Sequence, residues 1–323
     1  HMIDRNVNEA VAIVSDIIQK PTFPEDEFYK EKENRIQNLK ARDENITNAA
    51  FDRLYQHLYD QHPYAIISAG TPETINRITL DDIKEYYHRV TRPDTVIISL
   101  VGNIKFKQAV DLLSRHFGAW KTPADPSSVL MPAEVTVPEQ DEVVEFPMDF
   151  KQSFIAIGRI APPITDDPYV AVKVLDHIIG GGMSRRLFQK FREEKQYAYS
   201  TGSFYPSRIE PSHLVLYIGL DKKNISDARR EFDSICSDLI ENPVSAEELT
   251  SAQEHLAGQF IMSHQSTERQ AWYLGWYELI GKGYEYDRQY VADIYSITPA
   301  DIQKAAQNYL QKPSTTIIIK GMQ

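Results

Sequence analysis

The chain has 323 residues, 42% of them hydrophobic and 25% charged, with a formal net charge of −11 at pH 7. That composition fits a soluble globular protein long enough for two domains. The acidic balance excludes a phosphate-backbone binder, no apolar run approaches the roughly 20 residues that span a bilayer, and the single Cys236 excludes a disulfide framework or cysteine-based zinc knuckle.

Apolar residues at helical spacing predict a helix over residues 3–20, stopped by Pro21. Pro24 and three acids then open a long polar helix to about Arg42, because acids in a first turn complement the helix dipole. A third helix is expected over 48–59. Thr79-x-x-Asp82 is a capping box for a helix to about Arg89. Pro93 blocks its continuation, and the β-branched run 95–101 predicts a buried strand. A helix over 105–117 follows. Residues 121–140 carry four prolines and little periodicity, which marks a semi-extended linker. Strands are expected at 141–146 and 153–159, a helix over 168–179 broken by Gly180-Gly181-Gly182, a further helix over 184–194, and strands near 198–205 and 213–220.

The rest of the chain repeats its beginning. Ile78-Thr79-x-x-Asp82-Ile83, Pro93 and Val96-Ile97-Ile98 return as Ile297-Thr298-x-x-Asp301-Ile302, Pro313 and Ile317-Ile318-Ile319. Ser15-Asp16-Ile17-Ile18-x-x-Pro21 returns as Ser237-Asp238-Leu239-Ile240-x-x-Pro243. One offset near 220 residues means two similar domains in tandem, divided as 1–120, a linker at 121–140, and 141–323. Nothing in the first copy matches residues 139–222, so the first domain is expected to lack its N-terminal part. Clustered rather than alternating strands and helices indicate an α+β fold.

Candidate chemistry is sparse. The nine histidines include neither H-x-x-E-H nor H-E-x-x-H, the spacings that set two imidazoles on one helix face around zinc. Ser251-Ala252-Gln253-Glu254-His255 has serine where the first histidine should stand, and coincidence on a solvated helix is the favoured explanation. The triple glycine lacks phosphate-loop spacing and by itself is a helix end and turn. It leads into Ser184-Arg185-Arg186-Leu187-Phe188, then Arg192 and Tyr199 seven residues apart. If the helix persists, Arg192 and Tyr199 share a face and could donate hydrogen bonds to a carbonyl oxygen gaining charge. From spacing alone, an exposed arginine and a packed tyrosine is the better account.

This segment resembles the substrate-side motif of the pitrilysin/insulinase family of zinc peptidases, which includes the mitochondrial processing peptidases. The resemblance runs the length of the chain, through Pro21–Pro24, His62-Pro63-Tyr64, Gly70 and the capping box at Thr79. It implies two tandem α+β domains of the processing-peptidase type. One domain of such a pair carries H-x-x-E-H and a distal glutamate; the other is zinc-free. Here the distal position falls on Asn38, or on Glu33 if the register slips by a turn, and an amide is a poorer zinc ligand than a carboxylate.

The resemblance therefore implies a chain that holds no metal itself. Arg192 and Tyr199 would be its catalytic pair and Gly180, Gly181, Gly182 and Ser184 its substrate-binding residues. They would serve peptide hydrolysis at a zinc ion supplied elsewhere. If the chain is a fragment of such a peptidase, the zinc would come from the missing counterpart of residues 139–222, where any H-x-x-E-H would lie. If it is the zinc-free partner, the zinc would be held by a homologous subunit or the other half of a homodimer. The alternative is a structural assembly subunit of the same fold. No nucleic-acid partner and no membrane span are expected, and bacterial cytoplasm and periplasm are both compatible with the sequence.

Overall fold

Local chemistry sets the first boundaries. In a computed structural model, which describes residues 6–124 and 134–322, Thr79 and Asp82 cap one helix reciprocally, and Thr298 and Asp301 do the same in the second copy. The backbone N–H of Thr79 donates to Asp82 Oδ2 at 2.8 Å, and that of Thr298 to Asp301 Oδ2 at 2.9 Å. In chain order the first elements are α1 (Val7–Gln19), α2 (Glu25–Asp43), α3 (Ile46–Tyr59), α4 (Pro72–Arg77), α5 (Leu80–Val90) and α6 (Phe106–Phe117). Strands β1 (Glu142–Met148) and β2 (Ser153–Ala161) precede α7 (Tyr169–Gly180) and the single turn α8 (Arg186–Phe188). Then come β3 (Ala198–Phe204), β4 (Ser212–Leu220), α9 (Ile225–Glu241), α10 (Ala246–Ser263), α11 (Thr267–Leu279), α12 (Tyr286–Ser296), α13 (Pro299–Tyr309) and β5 (Thr315–Gly321).

The five strands form one sheet in the order β1-β5-β2-β4-β3. β1 and β5 are parallel and the other pairings antiparallel, which gives the mixed α+β architecture expected from the sequence. β2 is buried along its whole length and is apolar apart from Ser153 and Arg159, as a strand covered on both faces should largely be. Phe154 and Ala156 turn to one face, where Ile46, Ala50 and Leu54 of α3 complete a core with Val215, Ile317 and Ile319. Gly158 belongs to the same face. A side chain there would stand 3.1 Å from Leu54, so its absence lets α3 lie close. α13 packs against α7 and β2.

The chain divides into two compact units. One gathers the described residues of 1–39, 70–131 and 261–287; the other, containing the whole sheet, gathers 40–69, 132–260 and 288–323. Segments 40–69 and 261–287 lie near the repeat offset from one another, so each unit includes a helical segment belonging by sequence to the opposite copy. Part of the predicted linker, 125–133, lies outside the described residues.

An expected strand fails to form. Residues 95–101 form no strand, whereas their counterpart β5 is an interior strand of the sheet, between β1 and β2. The two repeats share their capped helix and then diverge. A strand exists only through its ladder partners, and no described segment pairs with 95–101.

Candidate functional site

Arg192 and Tyr199 are brought together, though not by a shared helix. The helix expected over 184–194 is broken: α8 gives way to a π-helical turn over Gln189–Glu194, in which the Lys195 amide reaches back to the Lys190 carbonyl at 3.0 Å. Leu187 and Phe191 anchor this segment in the core. Gln196, with φ at +56°, then reverses the chain into β3. Tyr199 sits at a β-bulge, since Ala198 pairs with Leu220 and Ser200 with Gly219. Such a bulge re-aims a side chain, and Tyr199 is 59% exposed.

Both residues line a recess of about 400 Å³ with Lys195, Tyr197, Asp221 and Lys223. Arg192 Nη1 donates to the Ala198 carbonyl at 2.5 Å, one of five N–H groups the guanidinium carries. The Tyr199 hydroxyl donates to Asp221 Oδ1 over a long 3.3 Å. Behind them Lys195 bridges Glu231 at 2.7 Å and Asp227 at 3.0 Å, which raises its pKa above the usual lysine range. Burial, with the Asp227 carboxylate beside it, pushes the Tyr197 hydroxyl up to about 12, so it stays protonated. The recess thus offers a cation and a phenol, both hydrogen-bond donors, beside a carboxylate.

The glycines do other work. Gly180 ends α7, and a Cβ on it would fall 2.3 Å from the Ser203 amide nitrogen on β3. A Cβ on Gly181 would fall 2.3 Å from the His177 ring. These two positions are glycine because neighbours occupy the side-chain space. Gly182 has ordinary clearance, 3.4 Å from His255, and Ser184 is exposed. The arginines of the same motif are structural: Arg185 donates to the Ser251 carbonyl at 3.0 Å, and Arg186 forks onto Glu248 at 2.7 and 2.8 Å while reaching Asp238 at 2.6 Å.

Sequence reasoning missed the His177–His255 pair. His177 Nε2 lies 2.8 Å from His255 Nδ1, joining α7 to α10 beside the glycines. No sequence signal could have found it, because the partners are 78 residues apart on separate helices. Asn38 and Glu33 are exposed on α2, in the compact unit without the sheet.

A zinc site needs three or four converging N, O or S ligands. Among the described residues no group of three His, Cys, Asp or Glu could hold a metal ion, and the histidine pair satisfies itself with Arg185 close by. These residues do not fit a resident zinc. Also among the described residues, no helix is long and apolar enough to cross a membrane.

Residues 77–256 match the family described as the peptidase M16 inactive domain. The chain belongs to that family. It is similar to the uncharacterized zinc protease YmxG of Bacillus subtilis, at 26% identity over 82% of this chain. The match spans 64% of that relative, less than two-thirds of its length. The M16 fold is equally evident in solved structures. A protease from Helicobacter pylori superposes with a TM-score of 0.87 at 21% identity, covering 98% of this chain and 77% of the other. A peptidase M16 inactive domain from Pseudomonas fluorescens gives 0.84 at 22% identity, covering 97% and 75%. At such identities the structures speak for the fold alone.

Proposed function

We propose that this M16 chain is a zinc-free contributor to peptide hydrolysis. Its recess holds a carbonyl of a peptide cleaved at a zinc site on a homologous subunit, or on the other half of a homodimer. The observation supporting this most directly is the placement of Arg192 and Tyr199 in one open recess by two irregularities, a π-helical turn and a β-bulge. Both kinds of irregularity interrupt hydrogen-bond ladders and recur at functional sites.

The roles follow from the donors. Arg192 offers N–H groups in a planar fork, and Tyr199 offers an O–H weakly committed to Asp221. Two donors aimed at one oxygen hold a substrate carbonyl and favour the charge it acquires. Gly182 and Ser184 would touch the substrate directly, whereas Gly180 and Gly181 would serve through packing. The division into duplicated domains at 121–140 belongs to the same proposal.

The test is a mixed complex with a zinc-bearing homologue. Arg192→Ala and Tyr199→Phe should each lower kcat on the order of 10²–10³-fold, the usual consequence of losing one oxyanion donor, with circular dichroism unchanged. Arg192→Lys should recover little, because a point charge replaces a fork. Unchanged turnover in both variants would leave Arg192 and Tyr199 as exposed side chains with no part in hydrolysis. That outcome would favour an assembly role for the chain.

A further inference from the structure

His62-Pro63-Tyr64 takes no part in the recess of Arg192 and Tyr199. Pro63–Ala65 form a 3₁₀ turn just after α3, and the Tyr64 hydroxyl accepts from the Glu210 amide in the connection between β3 and β4. All of these residues belong to the compact unit that contains the sheet. Tyr199 lies at the start of β3 and the connection leaves its end, so at about 3.3 Å per residue the two places are about 20 Å apart. The Arg208 guanidinium on that connection lies over the Tyr64 ring, 4.1 Å from its centroid, and 6.0 Å from that of Tyr59. It is only partly exposed, yet among the described residues it has neither a hydrogen-bond acceptor nor an ion-pair partner. His62, whose ring centroid is 4.5 Å from that of Tyr64, is 2% exposed. The Tyr64 amide donates to His62 Nδ1 at 3.1 Å, so Nδ1 carries the lone pair and Nε2 the proton. Burial lowers the His62 pKa, with Glu210 opposing and Arg208 assisting, in keeping with a neutral ring. His62 Nε2 is buried and, among the described residues, has no hydrogen-bond partner.

A buried donor without an acceptor is rare in folded proteins and calls for an occupant. A guanidinium stacked on an aromatic ring, with its N–H groups uncommitted, is the arrangement by which arginine holds planar anions. We propose that Arg208 and His62 form a binding site for a polypeptide carboxylate, either a C-terminus or an acidic side chain. Both residues offer donors only, so their ligand is an acceptor. One guanidinium near Glu210, in a chain of net charge −11, suits a monoanion better than a phosphate dianion. The rings of Tyr59 and Tyr64 wall the site, and Ile66 and Ile209, within two residues of Tyr64 and Arg208, are 72% and 51% exposed. Apolar surface around a few polar groups fits a carboxylate carried on a peptide rather than a free inorganic ion. Glu210 acts on His62 without pairing with Arg208 among the described residues, so its charge opposes that of the ligand.

The probes are acetylated hexapeptides titrated into the full chain by calorimetry. One ends in leucine with a free carboxylate and has no acidic side chain; the second is its C-terminal amide; the third is that amide with one internal glutamate. A carboxylate-bearing peptide should bind at least tenfold more tightly than the plain amide, and the one that does so identifies the source. Arg208→Ala should weaken that peptide on the order of tenfold or more, and Arg208→Lys should recover only part, because the fork is lost. Glu210→Gln should tighten binding, a gain that a folding defect cannot produce. Equal binding of the plain amide, an affinity unchanged by Arg208→Ala, or no binding of any peptide overturns the proposal. So does displacement of the peptide by inorganic phosphate at equal concentration, because the site then prefers no carboxylate.

Discussion

His177 and His213 are both buried and both held neutral. Desolvation, with help from His255, Arg185 and Lys173, lowers the His177 pKa to about 4. Desolvation and the Arg208 cation lower that of His213 to about 3. In the unfolded chain each would accept a proton near pH 6.5. Their folded values lie below that, so the unfolded state binds more protons. Stability is therefore full above about pH 6.5 and is lost as pH falls toward the folded values. Between pH 7 and pH 5 the expected loss is on the order of 2 kcal/mol per histidine. Urea midpoints at the two pH values measure it, and His213→Gln should flatten the slope. A wild-type midpoint that does not change would contradict the neutral assignment. The glycines make a second contrast at this scale. Gly180→Ala drives a Cβ to 2.3 Å from the Ser203 nitrogen and should destabilise by about 1–3 kcal/mol, while Gly182→Ala, 3.4 Å from His255, should leave the melting temperature nearly unchanged.

The element that matters most is the run from α8 to β3. Its Arg186 grips Glu248 through Nε and Nη2 and reaches Asp238 through Nη1, so it links this short turn to α9 and α10. A bidentate guanidinium–carboxylate pair is directional, and removing the cation leaves a half-buried Glu248 without its partner. Arg186→Ala should lower stability by on the order of 2 kcal/mol, measured by urea unfolding, and Arg186→Lys should restore only part of it. A fully stable alanine variant would mean that the turn is held by the packing of Leu187 and Phe191 alone.

For the molecule as a whole, the ligand inventory leads to one expectation. Chelator-free protein analysed for metal should contain no stoichiometric zinc, and the chain by itself should not cleave a fluorogenic peptide. Turnover abolished by a chelator, or one zinc per chain held by histidines, would refute this. The compact units add a second consideration. Because each includes a segment from the opposite sequence copy, neither repeat cut out of the chain would retain its core: α3 supplies Ile46, Ala50 and Leu54 to a sheet whose strands begin almost a hundred residues later.

Elements governed by nearby residues were legible in the sequence. The capping boxes at Thr79 and Thr298 and the break after α7 follow from contacts a few residues apart, the strands of the second copy were marked by their apolar, β-branched runs, and the α+β class follows from the order of these elements. Spacing alone favoured an exposed arginine and a packed tyrosine at 192 and 199, and only the family resemblance made them a pair; both are exposed and line one recess. A continuous helix was expected, whereas a π-helical turn, a left-handed Gln196 and a bulge perform the task. Tertiary contacts decided the rest. Residues 95–101 and β5 are both β-branched and apolar, yet one is irregular and the other an interior strand, because strand formation depends on partners that propensity cannot supply. Gly180 is explained by Ser203, and His177 by His255, partners that only the folded chain brings within reach. Composition and short-range pattern determined the class of the protein and the identity of its elements. Long-range packing determined which of those elements became a sheet, which stayed exposed, and where the two candidate donors meet.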